Sequence, residues 1–154
     1  EHMEHTTDNR IVGLVSGGAV SDAKRKNPLH LAYVGDAVHS LYVRARLAES
    51  YDCTSGRLHA LAVRHLSAQG QSAALASLMP GLSDEELRLV RRGRNARPAN
   101  MPRHASASDY HSATAFEALI GFLYLSDSGP RLLELLDRAY TFSDAQRRAA
   151  DAGC

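Results

Sequence analysis

Two stretches of this chain are apolar on almost every face of a helix. One, LHLAYVGDAVHSLYVRARLAE, begins at Leu29, and the other runs from about Asp109 to Leu125 and contains TAFEALIGFLYL. A helix that is apolar all round has no solvent face and must be buried. Neither stretch offers the roughly 20 apolar residues that a membrane span needs. Both therefore predict helices at the heart of a packed bundle, with helix 29–47 as a buried central element. That helix is apolar on more faces than one small layer covers, so a partner chain would hide part of it, although a monomeric bundle can also bury one central helix. The rest of the pattern is helical too, with no β-hairpin signal and no internal repeat. The class is all-α with short connections.

Punctuation residues divide the chain. Residues 1–26 read as a loose N-terminal arm, with the residues ahead of Met3 read as an expression remnant. Asn27-Pro28 is an N-cap followed by proline in the first turn. Thr54-Ser55 starts a second helix that is expected to run unbroken to Pro80-Gly81. Ser83-Asp84-Glu85-Glu86 is a capping box, opening a third helix that Gly93 is expected to stop. Residues 97–108 hold two prolines and read as a loop. After the turn at 126–130, a short helix is expected to end at Tyr140. One domain over 27–142 and a C-terminal tail over 143–154 follow.

Composition narrows the function classes. With 154 residues, 44% hydrophobic and 23% charged, the chain suits one globular domain. Cys53 and Cys154 are the only cysteines, which excludes a CxxC zinc site and disfavours a disulfide scaffold. The polar start EHMEHTTDNR lacks an apolar signal core, so a cytoplasmic protein with no membrane contact is expected. Net charge is only +1. Of 18 basic residues only Lys24 and Lys26 are lysines. Arginine suits bidentate phosphate contacts, although a GC-rich genome produces the same bias.

The chemistry is concentrated in two residues that break the rule of their own helices. Asp36 is the only acid between Pro28 and Ala48, and Glu117 the only one between Tyr110 and Ser126. A buried unpaired carboxylate is unfavourable by several kcal/mol or takes up a proton. Arginines could compensate each acid in two separate salt bridges, or one divalent ion could compensate both. Gly35 precedes Asp36, and Gly121 lies one turn beyond Glu117 on the same face. Such glycines let two helices touch, which would bring the acids together. His39 lies near Asp36 in sequence, with packing or a polar contact as its expected role. Tyr33 is expected in the core, and Gln69 and Gln71 are expected to face solvent or, at most, to approach the site.

The segments LAYVGDAVHSLYVR, LSAQGQSAAL, LVRRGRNAR and TAFEALIGFLYL, in this order, resemble the ribonuclease III family. More closely, the stretch from about Leu29 to Tyr140 resembles its short bacterial form, Mini-ribonuclease III. The resemblance implies an all-α, homodimeric endoribonuclease that cleaves double-stranded RNA with magnesium or manganese. It implies 5′-phosphate and 3′-hydroxyl ends, and a large-subunit (23S) ribosomal RNA precursor as substrate. A ribosomal protein or pre-ribosomal particle is a further implied partner, and no appended RNA-binding domain is expected. By position, Asp36 and Glu117 match the central catalytic and metal-binding carboxylates. Two further acids of full-length ribonuclease III are replaced here by Ala32 and Thr114. One protein-held metal per subunit is therefore expected.

Arg91, Arg92, Arg94, Asn95 and Arg97, with Arg103 in the following loop, are the expected RNA contacts. Arg91 and Arg92 are equally explained by the dipole of the helix they end, and Asn95 by capping a turn. Tyr110 and His111 match the family pattern too, although arginine is common where His111 stands. A non-cleaving RNA-binding module of the same fold is the alternative. A plain helical scaffold would leave the isolated acids and the arginine cluster unexplained together.

Overall fold

The computed structural model describes residues 22–98, 100 and 106–152. Six α-helices carry the fold: α1 (Pro28–Ser50), α2 (Ser55–Leu66), α3 (Ala68–Leu78), α4 (Asp84–Asn95), α5 (Ala107–Leu125) and α6 (Gly129–Ala152). Short 3-10 turns at Ala23–Arg25 and Met79–Gly81 complete the described secondary structure. Most of the N-terminal arm, together with Arg103 and Cys154, lies outside the described residues.

Local chemistry sets the helix starts. The Asn27 side chain accepts from the Leu29 N–H at 2.9 Å, with Pro28 in the first turn. The capping box at Ser83 and Glu86 is formed in both directions, at 3.2 and 2.8 Å. Glu86 has a second role. Its buried carboxylate accepts a fork from Arg131 at 2.8 and 2.9 Å, tying α4 to α6. Arg131 in turn holds the Glu86 carboxyl below its ordinary range. Ser106 caps α5, accepting from Asp109 N–H at 3.1 Å.

The central element is α5, not α1. From Ala113 to Leu123, every residue of α5 except Glu117 is buried. Helices α1, α3 and α4 pack most extensively against it, whereas α2 packs on α1, α3 and α6. Helix α1 buries Leu31, Tyr42, Val43 and Leu47 against this core but leaves another apolar face open. Tyr33, expected inside, is 84% exposed, and Leu41 is 46% exposed. Between this face and α5–α6 lies an apolar groove of about 480 Å³, lined by Tyr33, Val34, Leu41, Tyr124 and Leu133 among others.

Three expected boundaries are corrected. The second helix is broken in two at Ser67. Its N–H closes α2 on the Val63 carbonyl (2.9 Å), while its hydroxyl caps α3 by accepting from Gly70 N–H (3.1 Å). The corner is so tight that a Cβ on Gly70 would lie 2.1 Å from the Arg64 carbonyl oxygen. Gly93 does not stop α4, which runs on to Asn95. Its hydrogen side chain serves packing, since a Cβ there would lie 2.8 Å from Cα of Ala115 on α5. Helix α6 continues from Tyr140 to Ala152, so the expected tail is helical there. Asp144 pairs with Arg147 at 3.1 Å and Arg148 at 3.0 Å, Arg147 pairs with Asp151 at 3.1 Å, and Arg147 also reaches the Tyr51 hydroxyl at 3.1 Å. Spacings of three and four along a helix favour such pairs.

Candidate active site

The two isolated acids belong to the most intimate helix crossing in the molecule. A Cβ on Gly35 would lie 1.7 Å from the Glu117 carbonyl oxygen, and one on Gly121 would lie 1.9 Å from the Leu31 carbonyl oxygen. Only glycine permits this contact, and it is reciprocal. Asp36 follows Gly35 on α1, and Glu117 lies one turn before Gly121 on α5.

The two carboxylates occupy different environments. Asp36 is exposed, which corrects the expectation of a buried acid, whereas Glu117 is partly buried. Desolvation first, and the neighbouring charge of Asp36 second, push the Glu117 carboxyl up to about 8. Neither acid forms an ion pair among the described residues. The reading with two arginine salt bridges is therefore not what the fold builds. A divalent cation suits this pair: it would supply the missing positive charge, and hard oxygen donors are what magnesium takes. Among the described residues no group of three or more His, Cys, Asp or Glu is arranged for a metal. The protein's offer is two carboxylates, which leaves coordination positions for water and phosphate oxygens.

The positions of the two replaced acids are occupied quietly. Ala32 is buried in α1, and the Thr114 hydroxyl donates to the Tyr110 carbonyl at 3.0 Å. Beside Glu117 lies a cavity of about 530 Å³ between α5 and the start of α3, lined by Ser67, Gln69, Asp109, Tyr110 and Thr114 among others. Asp109 was not singled out in the sequence. Its only signal is the spacing of eight residues to Glu117, which keeps both on one helical face.

Gln71 corrects its expectation. It is 1% exposed, and its amide lies 3.1 Å from Nδ1 of His39. The His39 ring packs edge-on against Phe116, with centroids 4.8 Å apart. Burial, then the charge of His65, lowers its pKa to about 3, so the ring is neutral. His39 has the packing and polar role expected of it. His111 packs edge-on against Tyr110, and its buried Nδ1 has no hydrogen-bond partner among the described residues.

The arginine cluster divides. Arg91, Arg94 and Asn95 are exposed on the last turns of α4, and exposed Arg97 lies just beyond. Arg97 donates to nearby carbonyls, those of Arg94 and Ala96 at 3.4 and 3.3 Å. Arg92 behaves differently: its guanidinium donates to the carbonyls of Lys24 and Lys26, the latter at 2.9 Å.

An all-α fold, with two acids at a glycine crossing and cations at one helix end, defines a class. The ribonuclease III domain profile matches residues 29–128. The chain belongs to the ribonuclease III family, a family of endoribonucleases. Within it, the chain is similar to the Mini-ribonuclease 3 proteins. It is 42% identical to that of Brevibacillus brevis over 81% of this chain and 93% of the relative. For Symbiobacterium thermophilum the identity is 44%, over 75% and 88%. For Staphylococcus aureus it is 38%, over 90% and 96%. A crystal structure of a Fusobacterium nucleatum protein shares the fold, with a TM-score of 0.70 at 24% identity, covering 77% of this chain and 94% of that one.

Proposed function

We propose that this endoribonuclease hydrolyses double-stranded RNA in a metal-dependent reaction, leaving 5′-phosphate and 3′-hydroxyl ends. The observation that carries the reading is Glu117: a carboxyl raised to about 8, beside Asp36, with no cation paired to it among the described residues. Asp36 and Glu117 would hold one magnesium ion, or manganese in its place. Held there, such an ion would supply charge stabilisation for the phosphate and lower the pKa of an attacking water. The protein's own part is positioning. The helix crossing fixes the spacing of the two carboxylates, and Asp36 is exposed at the edge of the apolar groove beside α1. Arg91, Arg94, Asn95 and Arg97 supply donors for backbone phosphates, and Arg103 is proposed beside them. Phosphoryl chemistry rests mainly on such placement and charge.

The reading extends to a cytoplasmic homodimer acting on the large-subunit (23S) ribosomal RNA precursor, with a ribosomal protein or pre-ribosomal particle as a further partner. The open face of α1, with Tyr33 and Leu41 at the mouth of an apolar groove, supports a second copy of the chain as its cover. A two-fold dimer would set two identical centres across a duplex.

The test is cleavage of a long labelled RNA duplex with magnesium, comparing wild type with Asp36→Asn and Glu117→Gln. Metal-dependent cutting that falls at least about a hundredfold in both folded variants supports the nuclease. Duplex binding without cutting by the wild type would favour the binding module instead.

A further inference from the structure

The basic residues just ahead of α1 have no part in the site described so far. The turn at Ala23–Arg25 is nevertheless built into the fold. Ala23 is 5% exposed and joins the hydrophobic core. Arg92 reaches across from α4 and donates to the carbonyls of Lys24 and Lys26, one on each side of Arg25. Two carbonyls on one guanidinium use its fork geometry, which a lysine cannot reproduce. The Lys24-Arg25-Lys26 turn is thereby fastened beside the arginine-rich end of α4.

The result is a concentration of unneutralised positive charge. Lys24, Arg25, Arg88, Arg91 and Arg94 are exposed, and Lys26 is half-buried. None of the six forms an ion pair among the described residues. Helix α4 carries no acid after Glu86, and Asp22 is the one acid described in the turn. Elsewhere, six arginines are paired with carboxylates: Arg46, Arg64, Arg131, Arg138, Arg147 and Arg148. Like charges held together without counterions destabilise a fold, and a polyanion relieves them.

We infer that Lys24, Arg25 and Lys26 form a second phosphate-contacting segment for double-stranded RNA, held against the α4 arginines by Arg92 as a positioning residue. The inference rests on the duplex-RNA reading above and lengthens the footprint of the domain along the RNA backbone. Phosphate contacts of this kind add affinity and orientation without reading sequence.

The experiment measures the salt dependence of binding to a 40-base-pair RNA duplex. The full chain carrying Glu117→Gln is the parent, so that the RNA stays intact. Two variants are built on it: a triple Lys24→Gln, Arg25→Gln, Lys26→Gln, and a single Arg92→Lys. Each phosphate contact contributes about 0.9 to the slope of log affinity against log salt. The triple variant is expected to lose about 2.7 units of slope and bind at least about tenfold more weakly at moderate salt. Arg92→Lys keeps the net charge yet is expected to lose at least about 1 unit, because the turn is released. An unchanged slope in the triple variant, with the parent binding well, overturns this inference alone. An unchanged slope in Arg92→Lys with a reduced one in the triple overturns the positioning role. A parent that binds no duplex overturns both this inference and the function it rests on.

Discussion

Glu117 gives the clearest consequence at the scale of single residues. A carboxyl raised from its ordinary value to about 8 binds a proton more tightly in the folded chain than in the unfolded one. Its stabilising contribution is complete below the unfolded pKa of about 4.5 and is lost as pH rises through about 8. Glu117→Gln removes that loss. In chelator, the variant is expected to melt several degrees above wild type at pH 8.5 and level with it near pH 4. Magnesium or manganese at pH 8.5 is expected to raise the wild-type melting temperature and leave the variant's unmoved. Gln71→Ala is expected to cost about 1–3 kcal/mol in urea unfolding, because it strands the buried Nδ1 of His39. Both acids were legible in the sequence as lone charges in apolar helices. Their difference in exposure was not, because it depends on which helix ends up central. Gln71 was misread for a related reason: its partner is 32 residues away, and helical periodicity carries no trace of it.

Among the helices, the crossing of α1 and α5 is the least forgiving contact. Gly35→Ala or Gly121→Ala would push a methyl into a backbone carbonyl, and overpacking of that kind costs about 1–3 kcal/mol or more. Urea denaturation is expected to show a loss at or above the top of that range for each. Gly56→Ala is the control, since nothing lies within 4 Å of its added carbon; it is expected to be neutral or slightly stabilising. Ser67→Ala is expected to cost about 1 kcal/mol by removing the α3 cap. Most helix starts could be read from the sequence because caps are local: Asn27, Thr54 and Ser83 all behave as their chemistry dictates. The break at Ser67 was missed because leucine and alanine continue the helical pattern across it. The role of Gly93 was missed because a glycine at a helix end and a glycine beneath another helix look the same in one dimension.

For the whole molecule, the open face of α1 sets the prediction. Tyr33→Asp combined with Leu41→Asp is expected to convert the proposed dimer into a monomer in sedimentation, with an unchanged circular dichroism spectrum. Both side chains are exposed within one chain, so the charges meet no core. The all-α architecture was legible from periodicity, and so was an apolar excess on α1 beyond what one small layer covers; which side chains carry it was not, and Tyr33, expected in the core, faces outward. Hydrophobic pattern records burial without saying whose atoms do the burying. The crossing of α1 and α5 also bears on how the molecule fails. Asp36 and Glu117 stand at a joint where one main chain rests on another, with no intervening loop to loosen ahead of the rest. Heat is therefore not expected to produce a folded but idle form, and the temperature of half-inactivation in the presence of metal is expected to coincide with the calorimetric melt.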